Sequence, residues 1–433
     1  MKYIKSLICI LLVAVMFSGC SFKIASSVYD LISPVAPFGD NADIQSAMDT
    51  YVKNGYNLKT PTGGKYKSSY SFYDIDGDKQ KEAFAFYEPK DNLGTVNMAI
   101  LKRADSTWSV VSNIIGEGKD VYSIDFNDIT GNNKKEIFVC WDSISNSTNH
   151  LLSVYGFSQS NKSYSAVQIG NTLNVNNYSV AALRSDGTNN LLIFQINTGN
   201  RTSSAKAELY SVAKNKFKLI GETKLDSRIN TFSNILVENV GNQKKVYADG
   251  IGSDGKSMTT EVIYWSDIYD TIISPFYSYS TGITEETTRK LLVPSMDVNN
   301  DKEIEIPSVY KLKLPKQVAA LNWMKYKNTT LVHSCYSLYA KNDNYTVVLD
   351  NDVFKKVTAE YNEKTNEMTV VNKNNGKKVF SVVPVLKAIY SSSNFSNYTV
   401  VMEKSGYYYL AKIGDDTDIK MNIDTIKSCI KYC

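Results

Sequence analysis

Between residues 65 and 335 the chain is written in short apolar runs broken by polar turns. KYKSSYSFY (65–73), VYSIDFND (121–128), NYSVAALR (177–184), NTFSNILVE (230–238) and RKLLVPSM (289–296) each read as a strand. After each comes a polar turn and a second apolar strand: EAFAFYEP (82–89), EIFVCWDS (136–143), LLIFQINT (191–198), KVYADGIG (245–252) and EIPSVYKL (305–312). A hairpin with aromatic arms follows, as in VNMAILKRADSTWSVV (96–111) and LLSVYGFSQSNKSYSAV (151–167). Flat and β-branched side chains suit a pleated surface, so the pattern predicts a mainly β protein.

The pattern is a repeat. Aligning Gly77, Gly131, Gly187, Gly241 and Asn300 gives successive separations of 54, 56, 54 and 59 residues. Four short strands per unit make one blade of a β-propeller, in which radial closure protects sheet edges. The expectation is about five four-stranded blades over 65–335. Residues 20–64 form a lead-in containing a short helix in DNADIQSAMDTYVKNG (40–55). Residues 336–433 lack the blade grammar and are expected to form a small C-terminal α+β domain. Its strands are YTVVLDNDVF, KVTAEYN, EMTVVN, KVFSVVPV and YYYLAKIG, and Asp424 caps a last helix.

The polar turns carry the candidate chemistry. In DIDGDKQKE the ligand positions 1, 3, 5 and 9 are Asp74, Asp76, Asp78 and Glu82, with the carbonyl of Gln80 at position 7. Like charges this close repel unless a cation lies among them. An oxygen-only set of six or seven donors suits Ca²⁺ over zinc or copper. DVNNDKEIE repeats the spacing as Asp297, Asn299, Asp301 and Glu305, with the carbonyl of Glu303. The second turn supplies Asp128, Thr130, Asn132 and Glu136, a weaker set. The third (Arg184, Asp186, Thr188, Leu192) and fourth (Glu238, Val240, Asn242, Val246) have lost it. An EF-hand is excluded, because the twelfth residue from Asp74 is Ala85. The alternative is an acidic turn without an ion, since Asp and Gly favour turns in any case.

The N-terminus places the protein. Lys2 and Lys5 precede an apolar run, Leu7–Phe17, too short to span a bilayer as a helix and suited to a signal peptide over 1–19. Ser18-Gly19-Cys20 resembles the lipobox of bacterial lipoproteins. That resemblance implies a diacylglyceryl anchor on Cys20 and a mature chain on the extracytoplasmic face of the cell membrane. Removing the leader lowers the formal charge from +4 to +2, and no basic run interleaves with aromatics, so nucleic acid is not an expected partner. Cys140, within IFVCW, reads as a small core residue. Cys429 and Cys433, four apart, could bind metal with further ligands or pair with Cys335.

The turn motif resembles the FG-GAP or VCBS repeat, the blade unit of integrin α-subunit propellers and of many bacterial surface proteins. The arrangement of lipobox, repeats and tail resembles VCBS-repeat lipoproteins of Gram-positive bacteria. Enzyme signatures are sparse: with His150 and His333 the only histidines, HExxH and three-histidine metal sites are impossible. There is no GxSxG or P-loop, and Ser203–Lys206 and Ser253–Lys256 lack the companion motifs of penicillin-binding enzymes. Two readings remain. One is a non-enzymatic surface module, with calcium-stabilised turns, that recognises a polysaccharide or an envelope protein. The other is a propeller hydrolase or lyase acting on surface glycans, which needs two converging acids besides the turns.

Overall fold

The computed structural model describes residues 39–142, 148–160, 163–198, 203–241 and 243–433. The leader, Cys20 and Asn242 lie outside the described residues.

Among the described residues, six antiparallel sheets follow one another along the chain. The second (Asp120–Asn127, Glu136–Asp142, His150–Ser160, Ser163–Val175) and third (Asn177–Ala181, Asn190–Thr198, Ser203–Ala213, Lys216–Leu225) each run in simple chain order. The fourth does the same with Ile229–Glu238, Lys245–Gly252, Met258–Ser266 and Thr271–Ile273, and gains Thr288–Arg289 as an extra edge. In the first sheet the opening strand comes in two pieces. Tyr70–Tyr73 and Tyr56–Lys59 pair with successive halves of Glu82–Pro89, which leads to Asn97–Ala104 and Thr107–Ile115.

The second strand of each unit explains the layering. In Glu82–Pro89, Phe84 and Phe86 pack with Val121, Phe126 and Trp141 of the second sheet, whereas Ala83, Ala85 and Tyr87 face the other way. Side chains alternate across a strand, so a run that is apolar at every position supplies two cores at once. Phe138 and Cys140 likewise face Leu191 and Ile193, and Leu192 and Phe194 face Val246 and Ile263. Cys140 is the buried core residue expected, and burial pushes its thiol up to about 12.

The stack ends in caps. The helix Asp40–Tyr51 lies against the strand Thr107–Ile115 and adds Ile44 and Met48 to a cluster with Ala83, Ala85, Leu101 and Trp108. At the far end the segment 387–398 brings Tyr390, Phe395 and Tyr398 onto Val383, Val385 and Leu410. Among the described residues no apolar cluster joins the first sheet to the last.

Three expectations are corrected. RKLLVPSM forms no full strand: Thr288–Arg289 pairs with the fourth sheet and only Met296 bridges Glu305. Pro294 has no N–H to donate, and the Val293 carbonyl is taken by the Arg289 guanidinium at 2.6 and 2.9 Å. Secondly, the boundary at 335/336 falls inside the strand Thr330–Ala340. The fifth sheet (Glu305–Tyr310, Val318–Lys327, Thr330–Ala340, Tyr345–Leu349) is completed by the tail strand Ile430–Tyr432. Residues 357–413 form a sixth sheet on the same core, with Val318, Leu338, Val370 and Phe380 in one cluster, instead of a separate α+β domain. Thirdly, Asn422, not Asp424, caps the last helix, Ile423–Cys429, accepting from the Thr425 N–H at 2.8 Å.

Between the fourth and fifth sheets the chain makes a long excursion, 274–304, tied down by buried acids. Glu261 accepts from Ser274 Oγ (2.6 Å), Thr284 Oγ1 (2.9 Å) and the Asp226 N–H (2.7 Å). Asp226 accepts from the Thr284 N–H and the Arg228 guanidinium. Asp249 accepts from Ser295, Thr260 and Arg289. Burial raises the Glu261 carboxyl above its ordinary range.

Candidate functional site

The first acidic turn is built on Gly77 and Lys79, both at positive φ. Asp74 accepts from the N–H groups of Gly77 (2.8 Å) and Lys79 (2.9 Å), Asp76 from Asp78 (3.2 Å), and Asp78 from Gln80 (2.8 Å). Glu82 is buried, and its Oε2 accepts the Ile75 N–H at 2.9 Å. Asp74, Asp76 and Asp78 each present a carboxylate oxygen within 4.8 Å of the others. A side chain from the third strand enters this set: Lys102 Nζ lies 2.7 Å from Asp76, 2.8 Å from Asp78 and 2.7 Å from Glu82.

The fifth turn repeats the geometry. Asp297 accepts from Asp301 and Lys302 N–H groups, Asp301 from Glu303, and Glu305 Oε2 from Val298 (3.0 Å). Lys325 Nζ bonds Asp301, lies 2.7 Å from Glu303 and 3.5 Å from Glu305. Glu303 thus contributes its carboxylate, where only its carbonyl was expected, and Asn299 turns its amide N–H toward Asp301. In the second turn Asp128 accepts from Gly131 and Asn133, Asn132 from Lys134, and Glu136 from Ile129 (2.8 Å) and the Thr130 hydroxyl (2.8 Å).

Glu82, Glu136, Asn190 and Lys245 each open the strand that follows the turn, as does Glu305, whose strand is the first of the fifth sheet. Aligning on the turn glycine therefore misplaced the third and fourth turns. Leu192 and Val246, assigned there as the ninth turn position, are core residues, and the equivalents are Asn190 and Lys245. The first residue of the second strand was the signal that would have found them. Asn190 is fully buried, and neither of its amide atoms has a hydrogen-bond partner among the described residues. In the fourth turn Lys245 pairs with Glu238 at 2.6 Å, and Glu238 also accepts the Ile304 N–H of the next unit at 2.7 Å.

A second feature escaped the sequence. The opening strands of the second and third sheets frame a cleft of about 390 Å³ that includes Tyr122, Asp125, Asn127, Asn177, Tyr178 and Lys65. One wall is preformed: the Tyr122 ring lies 3.7 Å from the His150 ring, nearly parallel. Gly63 lies so close to Tyr122 that a Cβ there would sit 2.5 Å from the ring. His150 Nδ1 is held by Asp142 at 3.0 Å. Burial lowers the imidazole's affinity for a proton, against the opposing pull of Asp142. Asp125 is the one acid of the cleft lining among the described residues; Asp226, Asp249 and Glu261 lie elsewhere. His333, between Asn322 and Asn351, is engaged in the fifth sheet. Cys335, Cys429 and Cys433 are free thiols.

No family model matches the chain, and no curated protein matches it. The chain is similar to many solved structures, the following two among them. The Dos1 propeller matches at 10% identity with a TM-score of 0.31, covering 66% of this chain and 64% of its own. A variant of B. subtilis levansucrase matches at 9% identity with a TM-score of 0.21, covering 73% of this chain and 90% of its own. The chain spans less than two thirds of the length of the first.

Proposed function

We propose that the protein is a surface-displayed binding module, with its ligand seated in the cleft between the opening strands of the second and third sheets. The observation that carries this is the lining. Amides (Asn127, Asn177), tyrosines (Tyr122, Tyr178), one acid (Asp125) and one lysine (Lys65) line one concavity. Amide and phenol groups on a rigid wall recognise the hydroxyl-rich face of a polysaccharide. Glycoside hydrolysis would need two carboxyl groups across the bond, and the lining offers Asp125 alone among the described residues, which favours binding over the hydrolase or lyase reading.

The simple chain order of the second and third sheets supports reading the units as FG-GAP or VCBS blades, and a lipid on Cys20 would hold them at the outer face of the membrane. No helix among the described residues is long and apolar enough to cross a membrane. Calcium at the first and fifth turns would enter oxygen sets already engaged by Lys102 and Lys325.

The test is calorimetric titration of a panel of neutral cell-surface polysaccharides, with Asn177→Ala and Asp125→Asn as variants. Binding weakened at least about tenfold in either variant supports the site. Release of shorter sugars during the titration would move the assignment to an enzyme. Fractionation of cells carrying Cys20→Ala tests the anchor, and unchanged membrane retention would refute it.

A further inference from the structure

We propose that Lys102 and Lys325 are the resident cations of the first and fifth turns, so that these turns are held by the chain itself and do not require a metal ion. The placement is systematic. Glu305 and Lys325 are direct cross-strand partners. Lys102 stands one step beyond Leu101, the partner of Ala83, and so faces Glu82. Two sheets far apart in the sequence thus carry the same Glu–Lys pair beneath the same acidic turn.

The lysine follows the acids. In the second turn, with two acids, the position facing Glu136 is Gly156, one step beyond Tyr155, and Glu136 is satisfied by Thr130 and backbone N–H groups. In the fourth, Glu238 again has its own lysine, Lys245. An ammonium has three N–H donors, and Lys102 points at three carboxylates, each within 2.8 Å. Its side chain is 12% exposed, as is that of Lys325, and the Tyr164 ring of the second sheet backs the Lys102 ammonium at 5.5 Å.

This arrangement departs from the calcium loop that the spacing suggests. A divalent ion needs the oxygens of Asp76, Asp78 and Glu82 that face inward, and those are the ones bonded to Lys102. An ion placed there would stand against an ammonium at hydrogen-bond range, so the lysine would have to leave first. Asn299, donating its amide N–H to Asp301, makes the fifth set poorer still.

The experiment uses the purified full chain, its lysine variants and calcium alone as the probe. Wild type, stripped with chelator, should keep its melting temperature and show no saturable heat on titration to millimolar calcium. Lys102→Met and Lys325→Met should each lower the melting temperature by several degrees in chelator and recover it when calcium is added. If a lysine variant does not fold, the charge-balanced change Lys102→Met with Asp76→Asn and Asp78→Asn should fold and remain indifferent to calcium. Saturable calcium binding by wild type that Asp76→Asn abolishes would overturn the proposal. So would lysine variants that melt like wild type in chelator.

Discussion

Arg289 and Asp249 form an ion pair with no access to solvent: the guanidinium lies 3.2 Å from the carboxylate, and their side chains are 2% and 0% exposed. Both ends are fully engaged. Arg289 also donates to the Val293 and Thr287 carbonyls, and Asp249 accepts from the Ser295 N–H and the Thr260 hydroxyl. The pair fastens the 274–304 excursion to the fourth sheet, alongside the apolar contacts of Phe276 and Ile304 with Tyr247 and Tyr264. Removing one partner leaves a buried charge unpaired, so Arg289→Met should cost about 3–5 kcal/mol. Denaturant unfolding measures it. The paired change Arg289→Met with Asp249→Leu should recover much of the loss, and no recovery would mean that the network does more than neutralise charge.

Asn190 gives a prediction of opposite sign. It occupies, without partners among the described residues, the position that a glutamate fills in three other sheets. An apolar residue of similar volume avoids the cost of burying an unsatisfied amide. Asn190→Leu should therefore stabilise the protein by about 1 kcal/mol, seen as a higher denaturant midpoint with an unchanged slope.

His150 links the cleft to pH. Its proton affinity in the fold is lowered from the usual 6.5, chiefly by burial. The unfolded chain therefore takes up the proton first. The stability linked to this residue is complete above pH 6.5 and is lost as pH falls from there through the lower folded value. Melting temperatures followed from about pH 8 to about pH 5 should show this decline in wild type, and less of it in His150→Gln. Equal slopes in the two proteins would assign the decline to other groups.

The helix cap shares its cluster with the small side chains of Ala83 and Ala85. Ala85→Leu should crowd Ile44 and Met48, at a cost of about 1–3 kcal/mol. Amide exchange should quicken in Asp40–Tyr51 while the second and third sheets keep their protection. A uniform loss of protection would contradict a local cap.

Much of this fold could be read along the chain, for stated reasons. The unit of roughly 55 residues was visible because each second strand is buried on both faces, which leaves an uninterrupted apolar run such as EIFVCW. The helix Asp40–Tyr51 was visible from its spacing. The fifth unit misled, because RKLLVPSM has a strand's composition but Pro294 and the capture of Val293 by Arg289 remove its ladder. The sixth sheet was hidden by departure from the turn motif, although its strands alternate clearly. At the turns, the spacing of the acids was legible and the cation was not. Lys102 and Lys325 follow their acids by twenty or more residues, and only strand pairing brings them opposite Glu82 and Glu305.

The capped ends bear on how the molecule comes apart. Where sheets stack one on the next, stability is close to a sum of unit and interface contributions. Loss of the Asp40–Tyr51 helix would bare the Ala83, Ala85 and Tyr87 face of the first sheet, and loosening of 387–398 would bare Val383, Val385 and Leu410 of the sixth. Unfolding would then advance inward from either terminus as a fraying front, and the sheets around the cleft, one removed from the helix-capped end, would be reached after the first sheet has opened.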